Sequence, residues 1–186
     1  MHLFNSTLLY RVAELNIQRS MLNLIYQQTM FDFYNQYGAY LSYMMDPSKA
    51  MDEQMSMTGE TTWQEDLLNA AFLNFFQISA LCQEAEKAGF EMTAESKTFL
   101  ENLRTELDAA AQGSGYADAD QYLAQSFGPG IDFDVYYTFC EMNSLAMDYY
   151  SKLAGEIQVT EAEAEAYFDE NEAMFSGMGV TKDDVR

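Results

Sequence analysis

The chain has 186 residues, of which 48% are hydrophobic and 15% aromatic, and its formal net charge at pH 7 is −21. This composition is typical of one folded domain that buries a core without disulfides or metals, and it excludes a disordered chain. The negative charge opposes binding to nucleic acid and to anionic membrane surfaces, because both require clustered Lys and Arg. A solvated acidic surface that keeps the protein soluble is the simpler interpretation of the same charge.

Apolar residues at helical spacing predict a long first helix from about Val12 to Met45. No Lys or Arg occurs between Ser20 and Ser48, so the helix presents a wide aromatic face. We expect Gly38 to weaken or bend the helix, at a cost of about 1 kcal/mol relative to Ala. We expect Pro47 to end it, because the residue before a proline is driven out of the α region. The spaced positions are Met21, Leu22, Ile25, Met30, Phe33, Tyr37, Tyr40 and Leu41.

Two capped helices are predicted after a loop over residues 46–60 that is rich in Met and acidic residues. A capping box at Thr62 and Glu65 starts the first, and Gly89 ends it in a left-handed conformation. Thr93 starts the second, which closes near Gly113. The buried positions are expected to be Leu67, Ala71, Phe75, Ile78, Cys82 and Ala85 in the first helix, and Phe99, Leu100, Leu103 and Leu107 in the second.

The next two predicted helices flank a Gly-Pro-Gly turn. A short helix runs from Asp118 to Phe127, and Asp132 caps a longer one that ends at Gly155. The apolar seam of the longer helix steps by four and three, which is typical of packing against a partner helix. That seam consists of Val135, Phe139, Met142, Ala146, Tyr149 and Leu153.

A last, acidic helix is predicted within Gln158–Phe175, where Thr160 and Glu163 form a second capping box. Apart from a short stretch near Leu8 to Val12, no segment alternates as a strand would. The chain is therefore predicted to be all-α, with about six helices in one domain over residues 1–175 and a linker or tail over 176–186. The last helix should bury Ala164, Tyr167 and Phe168 and keep Glu161, Glu163, Glu165, Asp169 and Glu170 in solvent.

The residues of catalytic and metal sites are scarce. His2 is the only histidine and lies at the chain end, which excludes Ser–His, Cys–His and histidine–metal arrangements in the folded part. Cys82 and Cys140 are favoured as two buried free thiols over a disulfide or a metal pair. We therefore expect no catalytic residue, no metal ligand and no cofactor. The apolar runs at the N-terminus are too short for a signal peptide, and none approaches the ~20 residues that cross a bilayer.

The methionine cluster has three interpretations. Its side chains fill gaps in a loop that folds over the core, or form an adaptable apolar surface, or bind a soft metal through their thioethers. The metal is the weakest of the three, because no His or Cys supports it. The cluster consists of Met44, Met45, Met51, Met55 and Met57.

Several motifs, in order, resemble the N-terminal region of SurA/PrsA-type foldases, the extracytoplasmic parvulin-class peptidyl-prolyl isomerases, and in particular clostridial members. The long helix with FDFYNQYGAYLSY at Phe31 to Tyr43 resembles their aromatic first helix, and Thr61-Thr62-Trp63 resembles the TTW that opens the next one. The remaining matches are AEKAGF at Ala85 to Phe90, Tyr122-Leu123 with Phe127-Gly128-Pro129-Gly130, and Val159 to Phe175, the last of which is similar to VTDEEIEAYYEENKDDF.

The resemblance implies a SurA N-terminal-like (trigger factor/SurA peptide-binding-like) helical domain that holds unfolded exported polypeptides outside the cytoplasm. The family's opening VNG turn has no counterpart at Arg11 to Glu14, so a starting strand is not expected. The parvulin domain would begin near Val185-Arg186, so isomerase activity is not expected of this chain. With 13 Tyr, 13 Phe and one Trp, some aromatic residues should line a groove. The predicted peptide contacts are Tyr34, Tyr37, Tyr40, Tyr43, Met44 and Met45.

The alternative is a structural or assembly module whose aromatic helical face binds a fixed partner helix or a second copy of the chain, as a homodimer. Nucleic acid and direct insertion into a membrane are not expected under either hypothesis.

Overall fold

The computed structural model describes residues 3–185, of which residues 3–18, 183 and 185 are described by their backbone alone. No β-strand occurs in this part of the chain, which confirms the all-α prediction, and one isolated bridge joins Met55 to Thr62. The α-helices are α1 (Leu3–Tyr37), α2 (Leu41–Met44), α3 (Trp63–Lys87), α4 (Ala94–Gly113), α5 (Ala119–Phe127), α6 (Phe133–Glu156), α7 (Glu161–Glu170) and α8 (Glu172–Gly177). Short 3₁₀ turns span Gly38–Tyr40, Met51–Glu53 and Lys182–Val185.

The predicted first helix is divided into α1 and α2. The break falls at Gly38, where a 3₁₀ turn begins, because glycine is a poor helix former. α2 ends at Met44, and the following residue Met45 is extended (φ −146°, ψ 155°) two positions before Pro47, so an end ahead of the proline is confirmed. The start was predicted too late, since α1 begins at Leu3 and the stretch Leu8 to Val12 is helical.

Local side-chain caps set the starts of α3, α4, α5, α6 and α7. The Thr62 backbone N–H donates to a Glu65 carboxylate oxygen at 2.8 Å, and the Glu65 N–H donates back to the Thr62 hydroxyl at 3.3 Å. That backbone hydrogen bond is the main reason why the pKa of Glu65 lies below its usual range. Thr160 and Glu163 repeat the arrangement at α7, and Gly89 adopts φ +63° after α3. Both capping boxes and the left-handed glycine are confirmed.

The N-terminus of α4 has a second, distant partner. The backbone N–H and the hydroxyl of Thr93 both donate to one carboxylate oxygen of Asp148 on α6, at 2.8 and 2.9 Å. The same hydroxyl accepts from the N–H of Ser96, which is the predicted cap. Thr93 therefore caps α4 locally and also links it to α6, through a residue 55 positions away in sequence.

Packing divides the chain into two compact units, Met1–Tyr149 and Tyr150–Arg186. The predicted domain over 1–175 with a tail over 176–186 stays a prediction. In the first unit the core draws on α1, α3, α4, α5 and α6, and its fully buried large side chains are Leu24, Ile25, Leu123 and Ile131. Most predicted core positions are buried there, but Phe75, Leu107 and Met142 are half-buried and Phe99 is exposed.

Phe99 is exposed because it precedes Leu100 on α4. The buried stripe follows Leu100 and Leu103, and a residue one position earlier is rotated by about 100° around the helix. Leu153, the last predicted seam residue of α6, is likewise exposed, and α6 ends at Glu156, one residue after the predicted Gly155.

The second unit is built on a stack of two phenylalanine rings. Phe168 of α7 is buried and stacks on Phe175 of α8, with 5.4 Å between ring centroids. The predicted single helix is interrupted at Asn171, whose side chain donates to the Tyr167 carbonyl at 2.8 Å. Two further expectations were wrong, because Tyr167 is exposed and Glu165 is half-buried. The Glu165 carboxylate lies 3.6 Å from the Lys182 ammonium.

The Gly-Pro-Gly turn between α5 and α6 lies against α1. Gly128 has φ +101° and ψ 169°, a conformation that is essentially restricted to glycine. A Cβ atom added to Gly128 would lie 3.7 Å from the Asn23 amide nitrogen, and one added to Gly130 would lie 3.6 Å from the Ser20 hydroxyl. Space is therefore sufficient at both positions, and the backbone conformation is what requires glycine.

We expect Gly128→Ala to lower the free energy of unfolding by about 1–3 kcal/mol, because alanine would be strained at this φ and ψ. Gly113→Ala is the matched control, since Gly113 is helical and its Cβ would meet no atom within 4 Å. That variant should be neutral or more stable by up to about 1 kcal/mol. Urea unfolding measures both, and equal stability of the two variants would contradict the assignment of strain.

Candidate functional site

A groove with a volume of about 460 Å³ lies between α1 and α5. The α1 residues recur at spacings of three and four positions, and Tyr122 and Ser126 of α5 are four positions apart, so each helix contributes one stripe. We call this the α1–α5 groove, and its walls are Gln27, Met30, Phe31, Tyr34, Tyr122, Ser126 and Phe127.

The aromatic walls of the α1–α5 groove face solvent. Phe31 is 66% exposed and Tyr34 41%, whereas the other aromatic walls are half-buried. The α5 wall is held by ring contacts, because Tyr122 packs on Tyr116 and Phe127 stacks on Tyr136, each with 5.8 Å between centroids. Contacts of this kind are each worth about 0.5–1.5 kcal/mol. The groove therefore combines an α5 wall that is fixed by ring contacts with an α1 wall whose aromatic side chains are exposed to solvent.

A cluster of aromatic rings joins the α1–α5 groove to the start of α3. The Phe33 ring lies 6.1 Å from Tyr34, 5.2 Å from Tyr37 and 5.1 Å from Trp63, measured between centroids. Trp63 is buried, and its indole N–H has no hydrogen-bond partner among the described residues. The only tryptophan of the chain thus lies one ring away from a groove residue, where its fluorescence can report on the groove.

A second cavity, of about 590 Å³, lies between α2 and the loop that follows. Gln54 holds this loop, because its side-chain oxygen accepts from the Asp46 N–H at 2.6 Å and its amide donates to the Lys49 carbonyl at 2.9 Å. We call it the α2 pocket, and its walls are Ser42, Tyr43, Met44, Met45, Asp46, Pro47, Lys49, Glu53, Gln54 and Met55.

The structure distributes the six predicted contacts over different surroundings. Tyr34 lines the α1–α5 groove, and Tyr43, Met44 and Met45 line the α2 pocket. Tyr37 is half-buried against Phe33, and Tyr40 is exposed but lines neither cavity.

Sequence reasoning missed part of the α1–α5 groove. Phe31 and Met30 carry the same helical period as the predicted residues, so that signal was present. Tyr122 and Phe127 belong to the turn motif in the sequence, and nothing local indicates that α5 lies beside α1.

The methionine cluster is more exposed than gap-filling side chains would be. Met55 and Met57 are exposed, and the other three are half-buried, two of them in the walls of the α2 pocket. This placement favours the interpretation as an adaptable apolar surface.

The two cysteines are buried and free, as predicted. The Cys82 thiol donates to the Met142 carbonyl at 3.2 Å, and burial raises its pKa. On α6, burial raises the pKa of Cys140 to about 11 and that of Tyr136 to about 12, with a hydrogen bond to Cys140 adding to the effect on the tyrosine. Both α6 groups are therefore neutral at physiological pH.

These raised pKa values predict a loss of stability at alkaline pH. A group whose pKa is higher in the folded chain contributes full stability below its unfolded pKa and loses it as pH rises towards the folded value. Unfolded Cys and Tyr titrate near 8.5 and 10. We therefore expect the free energy of unfolding to fall from about pH 8.5 and to keep falling up to about pH 12.

Urea unfolding of two matched variants across this pH range tests the assignment. Tyr136→Phe should make the fall shallower above about pH 10, whereas Tyr150→Phe, at an exposed tyrosine of the same helix, should leave it unchanged. Identical pH profiles of both variants and the unmodified chain would contradict it.

Among the described residues, no group of three or more His, Cys, Asp or Glu side chains is arranged to hold a metal ion. His2 and Arg186 lie outside the described residues, so the expectations about them are untested.

None of the described helices combines the length and the apolar character needed to cross a bilayer.

Comparisons with protein-family models, curated proteins and solved structures found no match to this chain.

Proposed function

We propose that this chain is a non-catalytic chaperone-like module that binds extended, unfolded polypeptides outside the cytoplasm. The α1–α5 groove is the observation that carries the proposal, because it presents exposed aromatic side chains beside a fixed aromatic wall. The ordered resemblance to SurA/PrsA-type foldases supports the same class of ligand, the extracytoplasmic location and a following catalytic domain in the parent protein. The proposal includes no catalytic step and no cofactor.

The size of the α1–α5 groove indicates how it would bind. A volume of about 460 Å³ is at the small end of the range for ligand sites, so it accommodates a few large side chains rather than a folded domain. Burial of apolar area gains about 25 cal/mol per Å², and ordering an unfolded segment offsets much of that gain. Binding at one groove is therefore weak, and a long client would be held by several contacts at once.

The α2 pocket supplies a second contact of different chemistry. Its methionine side chains are flexible and polarizable, so they repack against varied apolar groups. Tyr43 at its edge is 86% exposed. The net charge of −21 would keep a complex with an apolar client in solution.

We expect the double variant Phe31→Ala/Tyr34→Ala to bind an aromatic-rich peptide at least about tenfold more weakly, because truncation of two anchors at a binding site costs more than about 1.4 kcal/mol. It should also lose the ability to slow the aggregation of a chemically unfolded client. Fluorescence anisotropy of a labelled peptide and light scattering of the client measure the two effects.

Tyr40→Ala/Tyr150→Ala is the matched control for this experiment. Both tyrosines are exposed, and neither lines the α1–α5 groove or the α2 pocket. Equal binding by the two double variants would contradict the site, and a client that aggregates at its buffer rate beside the unmodified chain would contradict the function.

A second candidate function, assembly with a second copy, is favoured by one face of α3. Phe72, Leu73 and Phe76 lie within five positions of one another and are all exposed, Phe76 at 73%. No charged residue occurs from Leu67 to Gln83. Two copies that each carry −21 repel through most of their surface, so an uncharged apolar face is where self-association is least opposed.

Assembly through α3 predicts a dimer for the unmodified chain and a monomer for Leu73→Glu/Phe76→Glu, since each new carboxylate would face another across the two-fold axis. Size-exclusion chromatography with light scattering at about 100 μM measures this. A monomeric unmodified chain would reject this candidate and leave the chaperone proposal in place.

A further inference from the structure

A third cavity, of about 570 Å³, lies in the first unit where α1, α3 and α6 meet the loop before α4. Most of its wall is apolar and sulfur-rich, formed by Met21, Phe75, Cys82, Met92, Met142 and Leu145. Ser79 also lines it, but its hydroxyl already donates to the Phe75 carbonyl at 2.8 Å. We call this the α3–α6 cavity.

Two carboxylates, Glu86 from α3 and Glu141 from α6, also line the α3–α6 cavity, together with the Gln83 side chain. Both residues are exposed, and neither carboxylate makes a hydrogen bond or an ion pair with a described residue. The negative charge of Glu86 adds to the raised pKa of Cys82, after the larger effect of burial.

The two lysines closest in sequence to Glu86 and Met92 are engaged elsewhere. Lys87 follows Glu86 in sequence, but its ammonium lies 2.7 Å from the Glu84 carboxylate. Lys97 pairs with Glu91 at 3.0 Å. The chain thus leaves two acidic groups on an apolar cavity without a cation of its own from these neighbours.

We infer that the α3–α6 cavity receives a lysine or arginine side chain of a bound polypeptide. The methylene stem of such a side chain packs on the methionines and Phe75, and its charged head reaches Glu86 and Glu141 at the mouth. A purely apolar side chain would remove water from the carboxylates without replacing those contacts, and an acidic one would be repelled.

This inference rests on the proposed function in one respect, that the ligand is a polypeptide, and it narrows the class of client. The preferred segments carry Lys or Arg among apolar residues. The net charge of −21 acts in the same direction, because it raises the local concentration of basic segments around the chain.

Three matched peptides test the inference. They share one aromatic-apolar sequence and differ at a single position, which is Lys, norleucine or Glu. Fluorescence anisotropy with the full chain at low salt should give about fivefold tighter binding for Lys than for norleucine, and the weakest binding for Glu. The advantage of Lys should shrink in high salt.

Two double variants distinguish the effect of the two cavity carboxylates from the effect of the overall negative charge of the protein. Glu86→Gln/Glu141→Gln should abolish the preference for Lys and leave the affinity for the norleucine peptide unchanged. Glu101→Gln/Glu106→Gln removes the same charge from exposed positions on α4, outside the cavity, and should keep the preference.

The failures of the two proposals differ in outcome. If none of the peptides binds, the proposed function fails and this inference with it. If all three bind equally, or if both double variants lose the preference alike, the cavity inference is overturned and the proposed function stands.

Discussion

The packing of α1 on α3 is the contact on which the remaining structure depends. Leu24, Ile25 and Ala71 are completely buried in this part of the core. Because this contact fixes how α1 is rotated about its axis, it also decides which other residues of α1 reach the surface. Met21 faces the α3–α6 cavity, whereas Met30, Phe31 and Tyr34 face the α1–α5 groove.

The exposed surface of the α1–α5 groove must bind apolar groups and must also avoid aggregation, and these two requirements oppose each other. Exposed aromatic side chains favour binding but also favour aggregation, and a net charge of −21 opposes aggregation by repulsion between copies. The groove-forming part of α1 and all of α5 contain no Lys or Arg. The apolar binding surface thus lies on segments that offer no positive charge to the acidic surface of a second copy.

Local features were predictable from the sequence, and contacts between distant residues were not. The capping boxes at Thr62 and Thr160 and the break at Gly38 depend on neighbours within a few positions, and all three were found. The interruption at Asn171 was missed, because its side-chain bond to the Tyr167 carbonyl competes with an otherwise continuous helical pattern. Tyr37 and Phe31 belong to the same aromatic run, and only the position of α5 decides which of them lies in a groove.

The hydrogen bonds from Thr93 to Asp148 can form only late in the synthesis of the chain. A ribosome adds the chain from its N-terminus, so α3 and α4 are complete before Asp148 exists. Until the 55 residues from Thr93 to Asp148 have been added, the start of α4 has only its local cap. The side of α3 that carries Cys82 likewise lacks its contact with α6. The nascent chain therefore passes through a stage in which its own apolar surface is uncovered.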